Sequence, residues 1–118
     1  MALHFTTNVP QQLLNDFKNK IRQGHIVTWS YDAHHDVFIH ETEQWRHKAY
    51  LRPVIEIGGL GFNLLGHRSV LTTQEVYAIY HGRFIESMIA HCANLFTSSS
   101  ATPKPTTTDV LTSKAQIA

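Results

Sequence analysis

One cysteine in 118 residues, Cys92, leaves nothing for an internal disulfide, so a small secreted fold stapled by bridges is excluded. No apolar run approaches the roughly 20 residues that a membrane-spanning helix needs. The first nine residues have neither the basic start nor the apolar core of a secretory signal, and the chain is expected to be cytoplasmic. Charge is scarce and balanced, with ten Lys and Arg against nine Asp and Glu. Such a chain has no overall field to steer nucleic acid or anionic lipid toward it. Catalytic signatures are missing too. There is no G-x-S-x-G elbow, no glycine loop followed by Lys-Ser or Lys-Thr, and no HExxH.

What remains is 42% hydrophobic, enough for one core in a domain of this size. Composition changes at residue 97. Ten of the last twenty-two residues are Ser or Thr, two prolines flank Lys104, and no aromatic residue occurs. A segment so poor in large apolar side chains does not offset its ordering entropy. The expectation is one domain over 1–96 and a disordered Ser/Thr/Pro-rich tail over 97–118. Within 1–96, eight basic and eight acidic side chains cancel.

Along the domain, Asn8 and Pro10 suit the start of a helix whose Leu13, Leu14, Phe17 and Ile21 recur at helical spacing until Gly24. Residues 25–31 alternate, with His25, Val27, Trp29 and Tyr31 on one side, which predicts a strand. A five-residue connection over 32–36 and a strand over 37–40 complete a hairpin. Thr42 can cap a short helix over 43–48. Strands over 49–57 and 60–65 flank a Gly58-Gly59 turn, and Pro53 marks the first of them as an edge strand or a bulged one. Thr72 and Glu75 form a capping box, with Leu71 and Val76 as its staple, ahead of a long helix reaching about residue 95. The predicted fold is α+β, a two-layer sandwich. Its four-stranded, mainly antiparallel sheet carries both long helices on one face, in the order α-β-β-(short α)-β-β-α.

Nine histidines are the unusual feature. His34, His35, Asp36 and His40 are candidate zinc or nickel ligands around the first hairpin turn. Their spacing matches no established site, and seven residues separate His40 from His47, about 10 Å on a helix. The ordinary reading is a solvated turn, and no metal or other cofactor is expected. His81 falls within the apolar stripe of the last helix, next to Gly82, whose place in a helix suggests a close approach by a sheet aromatic or a ligand. With His25 it is a candidate acid or base at a pocket between helix and sheet. A hydrogen-bonded core histidine is the commoner explanation of such a position.

Trp45, Arg46, Lys48, Tyr50 and Arg52, with Arg68 nearby, interleave aromatic and basic groups. That pattern can stack bases and hold phosphates of a single strand. Tyr, Trp and Arg are also the residue types that dominate protein interfaces. The alternative is that Trp45 packs inward while Arg46, Lys48 and Arg52 are solvated beside Glu43 and Glu56. If helices cover one sheet face, the other is left to Ile26, Phe38, Val54 and Leu65 among Thr28, Ser30, His40, Tyr50, Arg52 and Asn63. The element order is similar to that of double-stranded RNA-binding domains. Four strand candidates, and Thr72, Thr73, Gln74 and Glu75 where lysines are wanted, set this chain apart.

The sequence therefore favours a small interaction module without catalysis, which binds a protein partner or itself through an open sheet face and the 45–52 segment. The alternatives are a ligand-binding or hydrolytic domain using His81 and His25, and single-stranded nucleic-acid binding through Trp45 to Arg52.

Overall fold

The structure, a computed structural model, describes residues 2–110. Leu3 and Phe5 alternate with His4 and Thr6, and this short run forms β1 (Leu3–Thr6). A helix, α1 (Pro10–Arg22), follows. Proline sits in its first turn, and Gly24 turns the chain away at φ +79°. Its buried face is Leu13, Leu14 and Phe17, with Ile21 half-buried. Two hairpins come next: β2 (Trp29–Asp32) with β3 (Val37–His40), then β4 (Ala49–Glu56) with β5 (Gly59–Gly66). The long helix α2 (Gln74–Cys92) ends in a 3-10 turn (Ala93–Leu95) and leads to β6 (Ser98–Ala101).

The class is α+β, as expected, but the described sheet has six antiparallel strands, in the order β2-β3-β4-β5-β1-β6. Both added strands pair far along the chain. β1 lies against β5, with Leu3 opposite Phe62, and β6 lies against β1, with Phe5 opposite Ser99. The boundary expected at residue 96 thus falls inside the sheet, and 98–101 are a strand although they carry no large side chain. Their neighbours anchor them. The Phe96 ring meets Phe5 edge-on at 5.3 Å, and backbone bonds from Thr97 to Thr6 and from Thr102 to Ala2 fix both ends. Residues 111–118 of the expected tail lie outside the described residues.

Four local expectations are corrected. Residues 43–48 form no helix: Trp45 and Arg46 close a single turn on the Thr42 carbonyl, and His47 then adopts φ +58°, which a right-handed helix cannot continue. The strand expected from residue 25 begins at Trp29, since residues 23–28 turn back from α1 through bonds from His25 and Ile26 to the Lys20 carbonyl. The long helix is capped by Thr73 rather than Thr72. Thr73 Oγ1 accepts the Val76 amide at 3.2 Å, a phase that buries Val76, Tyr77 and Tyr80 and leaves Leu71 exposed. The strand containing Pro53 is central. Pro53 is tolerated because the register Phe38 opposite Leu51 places it past the start of β3, where β4 is locally an edge.

Both helices pack on one face of the sheet around Phe84. Its ring lies 4.6 Å from Phe62, 4.9 Å from Phe17, 5.0 Å from Trp29, 5.7 Å from Phe38 and 6.2 Å from Phe5. The Gly58-Gly59 turn has a specific physical need. Gly58 takes φ +76°, and a Cβ on Gly59 would stand 2.2 Å from the His4 ring. Gly82 has no such need, because a Cβ built there meets nothing within 4 Å and the residue is exposed. Gly82→Ala is therefore expected to stabilise the fold by about 1 kcal/mol, through helix propensity alone. Urea denaturation checks this, and a destabilised variant would show that the position serves a close contact after all.

Candidate functional site

Alternation along β3, β4 and β5 sends Val37, Ile39, Tyr50 and Leu65 away from the helices. They form a second apolar cluster, separate from the main core, and the half-buried Val110 packs against it. Arg52, Val54 and Glu56 continue this face along β4, and His4 joins it from β1, its Nδ1 3.1 Å from Glu56 Oε1. Phe38, expected on this face, is instead in the core beneath the helices, and so is Ile26. His40 also points to the helix side, where its ring stacks 4.6 Å from Trp29 and meets Tyr80 at 5.8 Å.

Val110 arrives by a strap that returns from β6. The Tyr77 and Thr102 hydroxyls both donate to the Lys104 carbonyl, at 2.9 and 2.8 Å, and Gln74 Nε2 donates to the Pro103 carbonyl at 2.6 Å. β1 covers β5 only from Gly59 to Phe62, which leaves the edge at Leu64–Gly66 without a strand from that side. Asp109 and Val110 fill it. Asp109 Oδ1 accepts the Leu64 amide at 2.7 Å, the Val110 amide donates to the Leu64 carbonyl at 2.9 Å, and the Gly66 amide donates to the Val110 carbonyl. Val110 runs parallel to β5 opposite Leu65, and Thr108 Oγ1 donates to Asn63 Oδ1 at 2.8 Å.

The segment singled out for binding is largely engaged in contacts of its own. Tyr50 is buried, 1% exposed, between the rings of His47 at 6.4 Å and His67 at 6.2 Å, and its hydroxyl has no hydrogen-bond partner. Burial raises its pKa. It cannot offer a free stacking surface. Trp45 packs half-buried against the core, and its carbonyl accepts the Tyr80 hydroxyl. Arg46 is exposed and pairs with Glu41 at 2.8 Å rather than with Glu43. Arg52 donates to the His35 carbonyl at 2.7 Å rather than pairing with Glu56. Lys48 is half-buried and Arg68 exposed.

The histidine-rich turn is an Asx turn. The Asp32 carboxylate accepts the His34 amide at 3.0 Å, the His35 amide at 3.3 Å and His35 Nδ1–H at 2.7 Å, and the His35 ring bond above all holds its pKa low. Asp36 Oδ1 is taken by the Tyr31 hydroxyl at 2.5 Å. His40 lies at the opposite end of β3 and on the other face, donating Nδ1–H to the Thr28 carbonyl at 2.9 Å. The four candidates thus do not converge. Among the described residues no group of three or more His, Cys, Asp or Glu is placed to hold a metal ion.

His81 is 3% exposed. Its Nδ1–H donates to the Tyr77 carbonyl, and Nε2 has no hydrogen-bond partner. Desolvation pushes its pKa down, partly opposed by the Tyr77 carbonyl and by Asp109 on the strap. His25 is exposed in the loop after α1, and no hydrogen bond or ring contact joins it to His81 among the described residues. The structure thus does not bring the two candidates together among the described residues.

One polar network escaped sequence reasoning. Lys20 Nζ donates to the His91 carbonyl at the C-terminal end of α2 and to Asp16 Oδ2 at 2.9 Å, and the Cys92 thiol donates to the same oxygen at 3.2 Å. Burial works to raise the Asp16 pKa, but the bonds from Lys20 and Cys92 outweigh it and hold the carboxyl below its ordinary value. The thiol is pushed up to about 12, first by burial and then by the carboxylate. Near neutral pH it stays in the protonated form, which is the weaker nucleophile. The network flanks a pocket of about 270 Å³ between α1 and the end of α2, and its role is to cap α2 from the neighbouring helix. Asp16 and Lys20, four apart, were legible as a helix pair, but Cys92 is 72 residues beyond Lys20 and nothing local joins them.

In comparisons with known proteins, no family model matches the chain, and neither a curated protein nor a solved structure matches it. Among the described residues no helix is long and apolar enough to cross a membrane.

The buried imidazoles set a pH dependence. His40 and His81 both have folded pKa values below 6.5, first through desolvation. Below 6.5 the unfolded chain takes up protons that the folded chain resists, so the stability present above that pH is lost as pH falls. The urea midpoint is expected to drop between pH 7.5 and 5.5, and to drop less in His81→Asn. A wild-type midpoint unchanged over that interval would contradict the burial of both rings.

Proposed function

We propose that this chain is a non-catalytic protein-interaction module that recognises its partner through the sheet face opposite the helices. The observation that carries the reading is the pair of apolar clusters. The larger is shared by sheet and helices, and the smaller, Val37, Ile39, Tyr50 and Leu65, lies on the far face where the strap contributes Val110. The four members of the smaller cluster are buried, with Val110 packed against them, and the half-buried Arg52, Val54, Glu56, His4 and Asn63 form the accessible rim around them; an apolar centre with a polar edge is the composition of a recognition surface. The chemistry of the buried groups supports the absence of catalysis. Cys92 and Tyr80 have pKa values near 12, and His81 is sealed. The balanced charge and the internal bonds of Arg46 and Arg52 weigh against the nucleic-acid alternative.

The test places a photocrosslinking residue at Val54, on the proposed surface, or at Ile89, exposed on α2. Crosslinking in cells that express the chain is expected to give discrete adducts from Val54 and none of the same mass from Ile89. Adducts of dimer mass would assign the surface to self-association. The same adducts from both positions, or none from Val54, would remove the reading.

A further inference from the structure

We propose that the β5 edge at Leu64–Gly66, with the apolar patch beside it, is a slot for an extended peptide of another protein, and that residues 102–110 occupy it in cis as an intramolecular competitor. The inference rests on the interaction reading above and names the chemistry of the partner.

The strap is bound as a peptide ligand is bound. It adds a single parallel bridge to the β5 edge that β1 leaves uncovered, through main-chain bonds at Leu64 and Gly66, and places one aliphatic side chain, Val110, on the Val37, Ile39, Tyr50 and Leu65 cluster. Backbone pairing supplies affinity and the side-chain seat supplies selectivity, which is the logic of β-strand addition. Asp109 adds a second determinant, since its carboxylate rather than a backbone carbonyl takes the Leu64 amide. It also accepts the Thr106 amide at 2.7 Å, which fixes the approach of the chain. The partner chemistry follows: an extended segment with an acidic residue directly before a β-branched apolar one.

The rest of the strap is held by side chains on its Pro103 and Lys104 carbonyls rather than by a ladder. Residues 103–105 are exposed, and Pro103 and Pro105, which have no amide hydrogen, cannot extend the ladder along the sheet. Their fixed φ, with a turn closed by the Asp109 amide on the Thr106 carbonyl at 3.1 Å, keeps the end adjacent to its slot. A tether of this length gives the occupant an effective concentration on the order of millimolar. An incoming segment must outcompete that, so the strap sets a threshold for binding and does not abolish it.

The test uses the full chain, wild type and Asp109→Ala, with a fluorescein-labelled, amidated peptide of the sequence of residues 102–110. Asp109→Ala frees the slot and is expected to bind the peptide about tenfold or more tighter than wild type does. A peptide with its own Asp changed to Ala is expected to bind neither. Hydrogen exchange on the wild-type chain supplies a readout that does not depend on the variant. The Leu64 and Gly66 amides are expected to exchange about tenfold or more faster than the amides around Phe84, through opening of the strap alone. Equal peptide affinity for both chains, or equal protection of both sets of amides, would make the strap a fixed part of the fold and overturn the proposal. Dimerisation of Asp109→Ala in place of peptide binding would assign the slot to a second copy and overturn the external partner. Val54 adducts that persist in either case leave the interaction reading standing without this one.

Discussion

Everything in this fold hangs from the ring of Phe84. It is the point where α2 meets α1 through Phe17 and meets the sheet through Phe5, Trp29, Phe38 and Phe62, side chains from four different strands. Aromatic pairs at edge-on and tilted angles each contribute about 0.5–1.5 kcal/mol beyond the apolar area that they bury. The consequence is geometric as much as energetic. Fixing α2 across the sheet determines where its C-terminal end emerges, and that end delivers Leu95 and Phe96 to the core and then β6 to the edge of β1. The strap, and with it the cover on the far face, inherits its starting point from this one contact.

The same packing explains the shifted pKa values inside. A core that takes in His81, His40, Tyr80 and Cys92 must keep each of them uncharged, and desolvation is the first cause of all four pKa shifts. Carbonyls and carboxylates then take up the donors: Tyr77 for His81, Thr28 for His40, Trp45 for Tyr80 and Asp16 for Cys92.

Tyr50 and Arg52 show how far the candidate surface could be read in advance. Their two-residue spacing put them on one strand face, and they do share it. Spacing gave no hint that His47 and His67, twenty residues apart, would close over Tyr50, or that Arg52 would turn to the His35 carbonyl. His34, His35, Asp36 and His40 were close in number, yet a strand carries His40 to the other end and the other face. Closeness along a chain is closeness in space only within a turn.

The residues alone determined both long helices, the two hairpins and the α+β class, because a period of 3.6 or 2 and a glycine turn are properties of adjacent side chains. Tertiary structure decided the remainder. Leu3–Thr6 shows only two apolar residues, and Ser98–Ala101 shows no large one, so neither carries a periodic signal. Each is a strand because a partner more than fifty residues distant supplies the hydrogen bonds its backbone would otherwise have left to water. The same reason governs the stretch from Thr102 to Val110, which local composition marks as unstructured. A vacant sheet edge at Leu64–Gly66, visible only once β1 has stopped short, gives it a place to bind.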